Sequence, residues 1–266
     1  MPPKKTRKMR IRFLGTSAGW PLPRLGCKCE ICTSADPKDR RTRTQLLIDD
    51  TLLLDIGIDT YFHLSGAGVD PTKIKYAAIT HEHPDHTFGL WDLAHTYLST
   101  QEGKSGPRNK VKIITHPLTF SKLRSLFFPG EYEVLKTQAD RVIRINSLEV
   151  KLLPVNHTNS SFGILVSRDN KRLFYAPDMK SLSSETFAKI GGIDLLAFDG
   201  SELKIKTPPH QTIEEGIELA KNLKAKKVYF VHLGHRTLPH RKLEQFVKEK
   251  GGTKFNISFD NLEVSL

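Results

Sequence analysis

Three histidines and an aspartate fall within six residues of Thr80-His81-Glu82-His83-Pro84-Asp85-His86, directly after an apolar run. Imidazole and carboxylate donors at this density are the ligand set of a divalent metal. If Lys75 to Thr80 is a buried strand, His81 and His83 lie two apart in extended chain and point the same way, so both can grip one ion. Pro84 cannot continue a ladder and turns the chain. Asp85 and His86 then open a helix expected over 86–98, with Phe88, Leu90, Leu93, Ala94 and Leu98 as its apolar positions. They face a second point nearby, so one short motif feeds two ions.

The remaining ligands arrive at the ends of later apolar strands. Leu148–Val155 leads to Asn156-His157, and Phe162–Ser167 and Arg172–Tyr175 lead on to Ala176-Pro177-Asp178. Asp194–Phe198 ends in Asp199-Gly200, and Lys227–Val231 ends in His232-Leu233-Gly234-His235. Ligands gathered at one edge of a sheet are where α/β proteins place their sites. The set sorts into His81, His83 and His157 for one ion and Asp85, His86 and His232 for another, with Asp178 free to bridge them. Two ions about 3.5 to 4 Å apart would bind a hydroxide between them and clamp the oxygens of an ester under in-line attack. That chemistry is hydrolysis, with Asp85 and His210 assigned catalytic roles. Zinc, manganese and iron all suit such ligands.

His210 stands in Thr207-Pro208-Pro209-His210-Gln211-Thr212, just before a helix whose start reads as a capping box of Thr212 and Glu215. There it either contacts a phosphoryl oxygen or protonates a leaving alkoxide, near backbone donors that favour an anion, or it is a surface histidine in a proline-stiffened loop. Upstream, Gly26-Cys27-Lys28-Cys29-Glu30-Ile31-Cys32 can bring three sulfurs to one centre, too polar in its intervening residues for a core strand. Zinc wants a fourth ligand, and His235, three residues past His232 and aimed apart from it in a turn, is the expected one. His63, His95, His116 and His240 have no partner motif and are expected to be non-ligands. Asp55, at the end of an apolar strand, either binds metal or holds a neighbouring loop by hydrogen bonds, and the second role is expected.

The elements that must position these groups follow from composition and pattern. The chain of 266 residues has an ordinary globular composition, with no apolar run of membrane-spanning length and no signal-like segment at Met1–Arg10, so a cytoplasmic protein without membrane contact is expected. Its three cysteines, all between 27 and 32, argue for a metal rather than a disulfide framework. The formal charge is +12, five of it from Lys4, Lys5, Arg7, Lys8 and Arg10, leaving +7 for the remainder. That surplus favours anionic partners, small phosphate esters and nucleic acids alike. Residues 1–10 read as a basic, solvated arm and 11–266 as one domain. Within it, Ile11–Leu14, Thr44–Asp49, Thr51–Asp55 and Val111–Thr115 are further strands. Segments 59–65, 118–126, 184–190, 212–223 and 239–249 have helical periodicity, and 100–110 is a basic loop. Leu25 and Trp91 are expected in the core, with a homodimer contact as the other possibility. Strands alternating with helices make an α/β domain the economical reading.

The run from Thr80 to His86 matches the H-x-H-x-D-H signature of the metallo-β-lactamase superfamily, and His157, Asp178 and His232 fall where its later ligands are expected. The resemblance spans nearly the whole chain. It implies an α/β four-layer αβ/βα sandwich with a dinuclear site at the sheet edges, and Asp55 as the brace of the metal-binding loop. Leu14-Gly15-Thr16-Ser17 followed by the cysteine segment is similar to the phosphoribosyl cyclic phosphodiesterase subgroup. This likeness implies two divalent ions, zinc or manganese, at the catalytic site, a structural zinc held by Cys27, Cys29, Cys32 and His235, and assistance to catalysis from His210. Asp178 in the bridging position fits phosphodiesterases better than lactamases. The glycine-rich turn departs from the subgroup pattern, placing Ala18 and Trp20 at the expected site mouth, which bears on substrate preference.

The leading expectation is a metal-dependent phosphodiesterase acting on a small cyclic or nucleotide-like phosphodiester through a metal-bridged hydroxide. An RNA-processing nuclease resembling ribonuclease Z is the second reading, encouraged by the basic arm and the 100–110 loop, against which stands the lack of a glycine- and proline-rich inserted arm. A third is a non-catalytic metabolite-binding protein like the pyrroloquinoline quinone biosynthesis accessory protein. That relative shares the cysteine motif but has a degraded histidine motif, whereas every ligand is present here.

Overall fold

The computed structural model describes residues 8–97, 100–101, 104–105, 107–127 and 131–266. In chain order the strands are β1 (Arg10–Gly15), β2 (Gln45–Ile48), β3 (Leu52–Leu54), β4 (Tyr76–Ala78), β5 (Thr100–Gln101), β6 (Lys104–Ser105), β7 (Val111–Thr115), β8 (Tyr132–Lys136), β9 (Ile143–Ile145), β10 (Leu148–Pro154), β11 (Phe162–Arg168), β12 (Lys171–Ala176), β13 (Leu195–Asp199), β14 (Lys227–Val231), β15 (Phe255–Ile257) and β16 (Leu262–Ser265). The helices are α1 (Thr60–Gly66), α2 (Pro84–Thr87), α3 (Leu90–Ala94), α4 (Pro117–Leu123), α5 (Ser184–Ile190), α6 (Ile213–Asn222) and α7 (His240–Gly251).

The strands form two large sheets, ordered β16-β1-β2-β3-β4-β7-β8 and β15-β14-β13-β12-β11-β10-β9. Period-2 alternation explains how they stack, because successive side chains of a strand face opposite ways. In β12, Leu173 and Tyr175 enter the core between the sheets with Phe13, Leu46, Leu54 and Ile164, while Phe174 and Ala176 face the opposite core with α5, α6 and α7 residues Ile190, Ile217 and Leu243. On the outer side of the first sheet, Leu53, Ala77 and Ile113 pack against Leu64 of α1, Leu90 and Leu93 of α3 and Leu123 of α4. The resulting four layers are the αβ/βα sandwich expected from the resemblance.

Direction of travel brings the chemistry to one edge. Strands β3, β4, β7 and β8 run parallel in the first sheet, as do β12, β13, β14 and β15 in the second, and β10 shares the direction of β12 through the antiparallel β11 between them. The C-terminal ends of β3, β4, β10, β12, β13 and β14 therefore open on the same side of their sheets. The backbone of Phe162 donates to Thr80 O at 3.0 Å and ties the two sheets at this edge.

Several expectations are corrected. The helix expected over 86–98 is two short ones, because Gly89 N donates to Ile56 O at 2.9 Å instead of back along the helix; the second ends at Ala94, and Leu98 lies outside the described residues. Leu25 and Trp91 are not core residues, being 100% and 56% exposed. Strands β8, β9, β15 and β16 were not anticipated. The chain enters the first sheet at Arg10, and Met9 is fully buried with its backbone paired to Leu266, so the end of the expected arm belongs to the fold, while residues 1–7 lie outside the described residues. The expected loop at 100–110 contains the small β5–β6 hairpin, with 102, 103 and 106 outside the described residues. No helix among the described residues is long and apolar enough to cross a membrane.

Candidate metal centres

The 81–86 motif leaves β4 and turns into α2 at Pro84, which occupies the first turn, where its missing N–H is no loss. The turn presses close to the loop after β3: Ile56 N donates to His86 O at 2.8 Å, and a Cβ on Gly57 would sit 2.1 Å from Asp85 O. His83 Nδ1 lies 3.0 Å from His81 Nε2 and 3.3 Å from His157 Nε2, so the three rings converge on one point. Two of the outer nitrogens are engaged elsewhere. His157 Nδ1 donates to Pro209 O at 2.9 Å and His81 Nδ1 lies 3.0 Å from Thr80 Oγ1, which leaves Nε2 of both rings for a ligand.

Asp178, just past β12 and 5% exposed, stands between this trio and the second group. Its Oδ2 is 2.8 Å from His86 Nε2 and 3.2 Å from His232 Nε2, while Oδ1 is 3.9 Å from His157 Nε2. Asp85 Oδ2 completes the second group, 3.1 Å from His86 Nε2 and 3.4 Å from His232 Nε2. His86 Nε2 and Asp178 Oδ2 are fully buried and close, yet neither is aligned as a hydrogen bond to any partner. Two buried polar atoms aimed past each other at a shared point is the geometry of ligands around an ion, so the donor set fits a metal here.

Charge supports the same reading. Burial would raise the Asp178 carboxyl, but the imidazoles of His232 and His86 hold it well below the usual carboxylate range, and His86 and His232 do the same for Asp85. Burial pushes His81 well below the usual imidazole range, keeping it in the neutral form that ligates. Asp55, fully buried at the end of β3, accepts from Thr80 N at 2.8 Å and from His86 Nδ1 at 2.8 Å, and Tyr175 OH donates to it at 3.0 Å. It therefore points its oxygens at the motif's backbone and at the back of His86, the bracing role that was expected. Glu82 clasps the motif to its neighbours by pairing with Lys122 and accepting from Ser160 Oγ at 2.7 Å.

His210 lies beside this centre. The capping box expected at the start of α6 forms, with Thr212 N donating to Glu215 at 2.9 Å, and His210 finds a side-chain partner outside it. The partner is Asp199, whose Oδ2 accepts from His210 Nδ1 at 2.7 Å. Asp199 is fully buried at the last position of β13 and also accepts from Met179 N and Ser201 N. Burial works to lower the His210 pKa, but the hydrogen bond and charge of Asp199, then the charge of Asp178, push it up to about 9. Asp199 had no assigned role in the sequence, although it shares the strand-end position of the ligands. The centre opens into a cavity of about 620 Å³ whose wall includes His210, Ala18 and Trp20.

A second cluster lies on the far wall. Cys27, Cys29, Cys32 and His235 bring their ligand atoms within 4.8 Å of one another. Cys27 Sγ is 3.4 Å from His235 Nδ1, close to the roughly 3.5 Å edge implied by tetrahedral zinc with bonds of about 2.3 and 2.0 Å. The remaining histidines stay away from both clusters: His63 bonds Gln45 and Thr42, His95 bonds Trp91 O, His116 caps α4 and His240 bonds Arg41.

Comparison with known proteins agrees with this architecture. The sequence model of the β-lactamase superfamily domain matches residues 51–233. The chain is 28% identical over 239 residues to an octanoyltransferase of Porphyromonas gingivalis, an alignment covering 88% of this chain and 47% of that protein, so the chain spans about half of that relative. It is 31% identical over 124 residues to a ribonuclease Z of Ignicoccus hospitalis, covering 45% of this chain and 40% of the relative. A crystal structure of a diphosphatase from the PhnP family superposes with a TM-score of 0.83 at 24% identity, covering 98% of each chain. With the family match over more than half of its length, the chain belongs to the β-lactamase superfamily and has the metallo-β-lactamase fold.

Proposed function

We propose that the protein is a metal-dependent phosphodiesterase acting on a small cyclic or nucleotide-like phosphodiester. The observation that carries the proposal is Asp178 standing between two groups of ligands, one oxygen toward His86 and His232 and the other toward His157. On this reading His81, His83 and His157 hold one divalent ion, Asp85, His86 and His232 hold a second, and Asp178 serves both; zinc and manganese suit the set. Bound there, the ions supply Lewis acidity, activating water and neutralising charge on phosphoryl oxygens.

The chain's own residues do the rest. His210, protonated at neutral pH through Asp199, lies on the cavity wall with Nδ1 occupied and Nε2 left to donate a proton to the departing alkoxide. Asp55 and Pro209 O accept from Nδ1 of His86 and His157, so Nε2 is the nitrogen each ring turns to the centre. Cys27, Cys29, Cys32 and His235 hold a structural zinc that ties the 27–32 loop to the turn carrying His232. The likeness to a ribonuclease Z, whose named activity is on RNA, supports phosphodiester cleavage, and the +12 charge supports an anionic substrate.

The test is a panel of 2′,3′-cyclic nucleotides, cyclic ribose phosphates and bis(p-nitrophenyl) phosphate with zinc or manganese added. Hydrolysis that a chelator abolishes is the expected result, and inertness across the panel refutes the proposal. Cleavage confined to structured RNA would favour the nuclease reading instead.

A further inference from the structure

Large apolar side chains gain by burial, yet three stand open on the wall of the catalytic cavity: Trp20 at 62% exposure, Phe88 at 48% and Ile58 at 47%. They come from three separate segments, and each is fixed beside the turn that carries Asp85 and His86. A Cβ on Gly19 would lie 3.2 Å from Asp85 Oδ2, so Trp20 leaves the chain one residue from that carboxylate's neighbour. Gly57 packs on the Asp85 carbonyl and brings Ile58 to the same turn. Phe88 follows His86 by two residues, its N–H donating to Pro84 O at 3.0 Å.

The backbone that presents Trp20 is held on both sides. Arg43, whose Nη1 lies 3.1 Å from both oxygens of Asp59, donates through Nε to Gly19 O at 2.9 Å. The buried Ser17 donates from Oγ to Trp20 O at 2.8 Å, and Leu22 exchanges two backbone hydrogen bonds with Arg41. Arg24 sets its guanidinium over the indole, 5.2 Å from the ring centroid, and so covers one face. Among the described residues no ring stacks on the other face, and the indole N–H makes no hydrogen bond. A tryptophan fixed in this way and left open contributes little to the core; a flat ligand would use the free face.

Resting on the phosphodiesterase reading, we propose that Trp20, Ile58 and Phe88 form a nucleobase subsite, so that the substrate is a nucleoside cyclic phosphate and not a base-free sugar phosphate. Two aromatic side chains favour a planar partner, because stacking rewards flat contact, whereas an alkyl chain would gain equally from any apolar wall. The wall and the ligand groups around Asp178 share one cavity of about 620 Å³, so a single small molecule occupies both. Stacking on a part of the substrate that does not react is made equally before and during the reaction, so the subsite acts on KM and leaves kcat unchanged.

The experiment compares adenosine 2′,3′-cyclic phosphate with methyl ribofuranoside 2,3-cyclic phosphate, which differ only in the base, on full-length metal-loaded protein. The adenosine compound should be favoured about tenfold or more in kcat/KM, with the difference in KM. Trp20→Ala and Phe88→Ala should each erase most of that preference and leave the methyl riboside within about twofold, while Trp20→Phe should keep most of it. Binding is read without turnover in Trp91→Phe protein, where Trp20 is the single tryptophan: AMP should quench its fluorescence and ribose 5-phosphate should not. Equal kcat/KM for the two substrates, equal loss on both in Trp20→Ala, or no quenching by AMP overturns the subsite. If both substrates are hydrolysed without a preference for the base, the subsite falls and the phosphodiesterase reading stands. If neither is hydrolysed while AMP still quenches, the subsite stands and that reading falls.

Discussion

His210 and Asp199 make the sharpest claim at the scale of single residues. Asp199 Oδ2 accepts from His210 Nδ1 at 2.7 Å and holds the ring protonated up to about pH 9. As a proton donor His210 should matter in proportion to how badly the leaving group needs a proton. His210→Ala should therefore slow hydrolysis of an ester with an alkoxide leaving group by roughly 10² to 10⁴ and slow bis(p-nitrophenyl) phosphate far less, since a nitrophenolate departs unprotonated. Equal loss with both substrates, or full kcat with metals bound, contradicts the assignment. A group that works while protonated loses its effect as pH rises through its pKa, so the alkaline limb of the rate profile should fall near pH 9 and move toward neutrality in Asp199→Asn. A limb unmoved by that substitution removes Asp199 from the account. Most of the residues that converge on the centre were legible one by one, because histidines and aspartates at strand ends are rare enough to be noticed. Asp199 occupied the same kind of position without being given a role, since its function depends on facing His210 across the fold, and neither residue's local sequence records that meeting.

Elements explain where the reading of sequence stopped. Strands buried on both faces, such as Leu195–Asp199, announce themselves by continuous apolar runs, whereas β8 and β16 have no fully buried position and carry little hydrophobic signal. The break between α2 and α3 was hidden for a different reason: the apolar spacing runs through it, and only the bond from Gly89 N across the chain to Ile56 O reveals that the helix stops. The close approach of these two segments also places the metal motif. A Cβ at residue 57 would meet the Asp85 carbonyl at 2.1 Å, backbone that cannot swing aside. Gly57→Ala should push α2 away from the centre, destabilise the protein by about 1–3 kcal/mol and reduce occupancy of the ion expected at Asp85, His86 and His232. Thermal unfolding and metal analysis of the purified variant check this; unchanged metal content would mean the close packing serves stability alone.

At the scale of the whole molecule, the two sheets matter because each supplies only part of the centre. The first brings His81, His83, Asp85 and His86 on the turn after β4, and the second brings His157, Asp178 and His232 after β10, β12 and β14, with Asp178 the residue on which both halves meet. Neither sheet alone assembles the pair of ligand groups, so the proposed activity requires the sandwich to be closed. The layered architecture was foreseeable from strands alternating with helices and from the histidine motif, while the pairing of β10, β11 and β12 that turns their ends to one edge emerges only from the sheet order. The central claim, two ions sharing Asp178 and working together on a phosphodiester, is tested most directly by titrating zinc or manganese into metal-free Cys29→Ser protein, whose cysteine site is disabled, and following bis(p-nitrophenyl) phosphate hydrolysis. The account predicts that full activity appears only as the second equivalent binds and that Asp178→Ala abolishes it; full activity at one equivalent, or none at any loading, would contradict it.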